Sequence, residues 1–139
     1  MNGGDGNVRP RPILAGLRIL DAGTMVGGPF AATLAADYGA DVVKIEKPGV
    51  GDPIREWSPI KDGVSLWWKV TARNKRLVTL DIGKPRGREL FLRMVESADA
   101  VIENFRPGTF ARWGLSYEEL AAEFQRLVDD YVEHNYARR

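Results

Sequence analysis

The stretch LRILDAGTMVGGPFAATLAADYGADVVKIEKPG, residues 17–49, decides the fold. LRILDAG is an apolar run that closes on Asp21 and Gly23, which predicts a buried strand followed by a turn. Gly27, Gly28 and Pro29 punctuate the next segment, and Pro29 suits the first position of a helix, where its missing N–H costs nothing. Phe30, Leu34 and Tyr38 then recur at helical spacing, and Gly39 is a natural stop. Residues 41–49 predict a second strand that ends in charge. Strand, glycine turn, helix and strand make one βαβ unit of ~30 residues, which crosses over right-handed and implies a parallel sheet.

Downstream the pattern repeats after an interruption. Residues 49–75 hold Pro53, Pro59, Trp57, Trp67 and Trp68 with weak periodicity, and predict a long connection with short helical pieces. The three tryptophans read as packing or dimer contacts. Residues 76–82 predict a third strand, and residues 84–99 a helix with Leu90, Phe91, Met94, Val95 and Ala98 on one face. Residues 100–104 predict a fourth strand. Two βαβ units make half or more of an open, doubly wound α/β domain, Rossmann-like and mainly parallel. Ser116 and Glu119 form a capping-box pattern. Beyond them Leu120, Phe124, Leu127, Val128, Tyr131 and Val132 mark a C-terminal amphipathic helix of roughly four to five turns. The expected organisation is a flexible leader over residues 1–13, one domain over 14–115, and the helix over 116–139.

Composition narrows the function. The chain has 139 residues, which fits one domain with a working core. A net charge of +1 gives no global basic field and no case for nucleic acid. The absence of cysteine excludes disulfides, thiolate metal sites and a cysteine nucleophile, and the single histidine, His134, cannot form a cluster. No apolar run approaches the ~18 residues of a membrane helix, so no membrane partner is expected. MNGGDGNVRPRP has no apolar core of a signal peptide, and a cytoplasmic location is the default.

In an open parallel sheet ligands bind beyond the carboxyl ends of the strands. The first turn, GTMVGGP, places glycines before a helix N-terminus, which suits an approaching phosphate, but it is neither G-x-G-x-x-G nor a P-loop. Glycines for a tight strand-to-helix turn explain it equally well. The fourth turn, ENFRPG, is more telling. Arg106 and Arg112 flank a Pro-Gly turn and can grip phosphate, Asn104 can hydrogen-bond a base edge, and Phe105 can stack on a flat ring. The alternative is solvated arginines and a core Phe105. Arg73, Lys75 and Arg76 read as a solvated loop able to add phosphate contacts. No triad, metal cluster or convincing carboxylate pair appears, so neither a catalytic nor a metal residue is assigned.

The motifs GADVVKIEKPGVGD, RNKR with the LD downstream of it, and ENFRPG together resemble the N-terminal part of the class III CoA-transferases. That group includes formyl-CoA and carnitine CoA-transferases and the related α-methylacyl-CoA racemases. The resemblance runs over about residues 14–120. It implies coenzyme A contacts at Val26 and Gly27, at the basic Lys47, along Leu80, Asp81, Ile82 and Gly83, at Asn104, Phe105 and Arg106, and at Arg112. Gly83 stands where the family has a lysine, with Lys84 adjacent.

The resemblance also implies what lies elsewhere. The family's catalytic aspartate and the acid–base pair of its racemases fall downstream of the match, and His134 does not sit in the racemase motif. The family folds as an interlocked dimer of long chains. The expectation is therefore the CoA-binding, N-terminal portion of an acyl-CoA:carboxylate CoA-transferase, inactive alone, with coenzyme A or acyl-CoA as substrate and no covalently held cofactor. A homo-oligomer or a complementary downstream chain is the expected partner. A stand-alone CoA- or nucleotide-binding module, or a racemase fragment, are the alternatives.

Overall fold

The computed structural model describes residues 11–122 and 125. The first unit is β1 (Arg18–Asp21), α1 (Gly27–Asp37) and β2 (Asp41–Glu46). The connection after β2 holds a 3-10 turn (Pro53–Glu56), the hairpin of β3 (Ile60–Lys61) and β4 (Val64–Ser65), and α2 (Leu66–Thr71). The second unit is β5 (Lys75–Thr79), α3 (Pro85–Val95) and β6 (Ala100–Ile102), and α4 (Thr109–Arg112) completes the domain. The α/β fold class read from the sequence holds, with strands one to three residues shorter at their carboxyl ends than expected.

The main sheet runs in the order β5-β2-β1-β6, and all of its pairs are parallel. The chain steps outward from β1 to β2 to β5, then returns to add β6 on the other side of β1. The order therefore reverses between β1 and β6, and a crevice opens there beyond the strand ends. Side chains alternate faces along each strand. Leu20, Val43 and Ile45 pack with Phe91, Val95, Phe110 and Leu115 under α3 and α4. Ile19 and Val42 pack with Ala32 and Ala36 of α1. Both faces are covered, which is why the first two strands read as near-continuous apolar runs.

Two glycines are set by close approach. A methyl group on Gly87, in the first turn of α3, would lie 1.8 Å from the Asp81 carbonyl oxygen, so only glycine lets this helix start against the end of β5. One on Gly23 would lie 3.0 Å from Asn104 Oδ1 and 3.1 Å from Pro29 Cδ. The capping box is formed in both halves: Glu119 N–H donates to Ser116 Oγ at 3.2 Å, and Ser116 N–H to Glu119 Oε2 at 2.8 Å. Residues 117–122 are helical, and the rest of the expected C-terminal stripe, with His134, lies outside the described residues. So does the leader up to residue 10. Among the described residues no helix is long and apolar enough to cross a membrane.

Candidate ligand-binding site

The carboxyl ends of the strands enclose a hollow of about 210 Å³. Thr24 comes from the β1–α1 turn, Lys47, Val50 and Asp52 from the loop after β2, Leu80 to Gly83 from the β5–α3 turn, and Phe105 and Trp113 from either side of α4. Its lining surface is mainly apolar, with Thr24, Glu46, Lys47, Asp52 and Asp81 at polar positions. Phe105 stacks on Phe110 with ring centroids 5.8 Å apart and meets Trp113 edge-on at 5.0 Å. Its ring thus packs against the core, as one reading of the sequence had it, while it also lines the hollow.

Beneath the hollow lies a buried network of charge that the sequence reading missed. Side chains at 42, 44 and 46 of β2 share the α1 face, yet two of the three are charged. Lys44 is 1% exposed, and its Nζ lies 2.9 Å from Asp52 and 4.0 Å from Asp21, and donates to the Gly23 carbonyl. Lys75 Nζ donates to Asp21 Oδ2 at 2.8 Å and to the Pro29 carbonyl at 2.6 Å. Glu46 accepts two hydrogen bonds from Arg55, at 2.8 and 2.7 Å, and one from the Asp52 N–H at 2.8 Å. The Arg55 guanidinium in turn sits 3.5 Å over the Trp68 ring. Three cations, Lys44, Lys75 and Arg55, thus meet three carboxylates, Asp21, Asp52 and Glu46. The signal was available: a charged residue inside a strand covered on both faces must find a buried partner.

The network shifts its members' titration. Burial works against the Glu46 charge, but the Arg55 hydrogen bonds, the Asp52 N–H and the nearby Lys44 outweigh it and hold the carboxyl below its ordinary value. Burial pushes the Lys75 ammonium down, and the Asp21 carboxylate only partly restores it. Arg55 is pushed up by its bond to Glu46.

The network also sets the shape of the first turn. Met25 has a left-handed backbone with φ 63°, a conformation that costs a non-glycine residue about 1–2 kcal/mol. Its N–H donates to both oxygens of Asp52, at 3.0 and 3.2 Å. A hydrogen bond to a charged acceptor is worth about 1.5–3 kcal/mol, enough to hold the strained turn. On the other side Asn104 Oδ1 accepts from Thr24 N–H at 2.8 Å, and Asn104 Nδ2 donates to the Thr24 carbonyl at 2.9 Å. The turn is clamped from β2 and from β6 together.

The residues named from the sequence divide accordingly. Lys47, Leu80, Asp81, Ile82, Gly83 and Phe105 come together around the hollow. Val26 and Gly27 sit one and two residues past the Met25 turn, exposed at the N-terminus of α1. Asn104 has both ends of its amide engaged by Thr24. Arg106 and Arg112 do not line the hollow; both are exposed, and Arg112 donates to Thr109 Oγ1 at 2.9 Å. For the basic loop the expectation divides: Arg73 and Arg76 are exposed, as a solvated loop would be, while Lys75 is not. Lys75 is buried on Asp21, Arg73 pairs with Asp37 at the end of α1, and Arg76 pairs with Asp41 at the start of β2. Hydrogen bonds from Arg73 hold Asp37 below its usual range, and those from Arg76 and Arg18 overcome desolvation to do the same for Asp41. Lys75 is not free to meet a phosphate, and Arg73 and Arg76 already carry ion pairs at the surface. Trp68 is a packing residue, while Trp67 is 43% exposed.

Fold and site define a mainly parallel α/β domain with a crevice at its switch point. The model of CoA-transferase family III matches residues 14–133, and the chain belongs to that family. Succinyl-CoA–D-citramalate CoA-transferase of Chloroflexus aurantiacus is 51% identical over 114 residues, covering 81% of this chain and 28% of the relative. The beta subunit of succinyl-CoA–L-malate CoA-transferase from the same organism is 42% identical over 125 residues, covering 89% and 31%. A CAIB/BAIF family protein from Brucella suis superposes with a TM-score of 0.74 at 37% identity, covering 82% of this chain and 31% of that one. The chain thus spans about three-tenths of the length of these relatives.

Proposed function

We propose that this chain is the coenzyme A-binding, N-terminal portion of an acyl-CoA:carboxylate CoA-transferase. The observation that carries the proposal is the convergence of Lys47, Leu80 to Gly83 and Phe105 on one hollow at the switch point of a family III fold. The names of the relatives point the same way, since the transferases from Chloroflexus act between succinyl-CoA and a carboxylic acid. The reaction moves CoA from an acyl-CoA to a free carboxylate. It needs a nucleophile that can carry the acyl group, and the proposed site supplies binding only.

The size of the hollow assigns parts of the ligand. Ligand pockets commonly measure about 300–1,000 Å³, so a hollow of about 210 Å³ takes one ring of the nucleotide and leaves the rest outside. Phe105, Trp113, Leu80 and Ile82 give that ring flat, apolar walls. The phosphates then lie at the mouth. Arg106 and Arg112 are the chain neighbours of the lining residues Phe105 and Trp113, and with Lys47, and Lys84 beside Gly83, they offer cations there. Val26 and Gly27 add the exposed start of α1. Calorimetric titration of CoA into the purified chain tests the reading. Saturable binding that weakens in Arg112→Ala is the expected result; no binding at millimolar CoA overturns it.

A further inference from the structure

We propose that Asp52, held in place by Lys44, is a positioning residue that fixes the β1–α1 turn as one wall of the hollow. The inference rests, for its functional consequence, on the reading of that hollow as the CoA pocket. Asp52 is 2% exposed, follows the loop after β2 and caps the 3-10 turn by accepting from Ile54 N–H at 3.1 Å. Its carboxylate reaches across to Met25 N–H, and Met25 is the left-handed residue on which the turn pivots. Lys44 joins the same two loops, with its ammonium on Asp52 Oδ2 and on the Gly23 carbonyl. Glu46 fixes the Asp52 backbone from below. Thr24 lines the hollow and lies between the atoms these groups hold, while Val26 and Gly27 come immediately after. Asp52 therefore acts through Met25: it sets where the first turn stands relative to Lys47 and to the β5–α3 turn. A neutral or apolar residue at position 52 leaves Met25 N–H without its charged acceptor, and the left-handed turn relaxes.

The test compares the wild-type chain with Asp52→Ala, Asp52→Asn, the double variant Lys44→Met/Asp52→Ala and Val95→Ala. The double variant removes both charges, in case the single one strands the Lys44 ammonium and does not fold. Val95→Ala cuts a core side chain that does not itself line the hollow, and controls for lost stability. Two quantities are read well below every melting temperature: amide exchange at Met25 and calorimetric affinity for CoA. The expected result is exchange at Met25 faster by about tenfold or more in Asp52→Ala or the double variant, affinity weaker by about tenfold, and Asp52→Asn in between because it keeps an oxygen for Met25. Val95→Ala moves neither. Unchanged exchange at Met25 in the folded variants, or equal acceleration in Val95→Ala, overturns the proposal. If the wild-type chain binds no CoA, the CoA reading fails while the exchange at Met25 still decides the positioning role.

Discussion

Lys75→Met is the perturbation that most directly probes how this domain holds its charge. Both Lys75 and Asp21 have side chains at 0% exposure, and their atoms lie 2.8 Å apart. Burial already weighs on the Lys75 ammonium, so the pair itself adds modestly to stability. Removing one partner is a different matter. Methionine fills the volume of the lysine stem, and the Pro29 carbonyl keeps its bond from Thr33 Oγ1 at 2.8 Å. Asp21 keeps the Gly23 N–H at 3.1 Å and Lys44 at 4.0 Å, but three carboxylates now face two cations. Breaking a buried pair in this way costs about 3–5 kcal/mol. With a urea slope of about 2 kcal/mol per molar, the unfolding midpoint falls by about 2 M. Adding Asp21→Asn removes the stranded charge while keeping an oxygen for Gly23, and the double variant recovers at least half of the loss. Urea unfolding followed by circular dichroism gives both numbers. A Lys75→Met midpoint within 0.3 M of wild type (about 0.6 kcal/mol on that slope), or a double variant no better than the single one, refutes this view of the pair.

Gly87→Ala places a methyl group where the Asp81 carbonyl stands, so the start of α3 must move; we expect a loss of about 3 kcal/mol or more by thermal unfolding, against the gain of about 1 kcal/mol that Gly→Ala ordinarily brings inside a helix. Glu46 contributes stability above its ordinary value near 4.5 that is lost as pH falls through its lower folded value. In Arg55→Met the Glu46 carboxyl loses its chief partner and rises, so the gap in stability between variant and wild type narrows as pH drops through 4.5 toward the lower folded value of the wild type. Denaturant unfolding at several pH values reads this, and a gap that widens contradicts it. On the proposed reading Arg112→Ala removes one charge-assisted phosphate contact worth about 1.5–3 kcal/mol, and we expect CoA binding weaker by about tenfold or more in calorimetry.

Much of the fold was legible because its signals are local. The Gly-Gly-Pro at residues 27–29 starts α1, the alternation of apolar runs with helical spacing gives two βαβ units, and Ser116 with Glu119 caps the last helix. The connection between β2 and β5 was legible only as an interruption, since a 3-10 turn, a two-residue hairpin and a short helix leave too few residues for any period to show. Within the crevice, ENFRPG holds residues that do different things. The Asn104 amide clamps Thr24 across 80 residues of sequence, a role no local motif could show. Lys75 looked solvated because RNKR is basic throughout. Its burial comes from sheet register, which pairs it with Val42 beside α1 and brings it to Asp21. Such long-range pairings are written in the topology, and no window of sequence contains them.

Whether the crevice beyond the strand ends holds coenzyme A is decided residue by residue by backbone amide shifts in an NMR titration with CoA. We expect saturable shifts at Lys47, at Leu80 to Gly83 and at Phe105, Arg106, Arg112 and Trp113, with the exposed outer face of α1 and α2 unmoved. Saturable shifts confined to Phe30, Leu34, Trp67 and Val70 on that outer face, or none at millimolar CoA, contradict it.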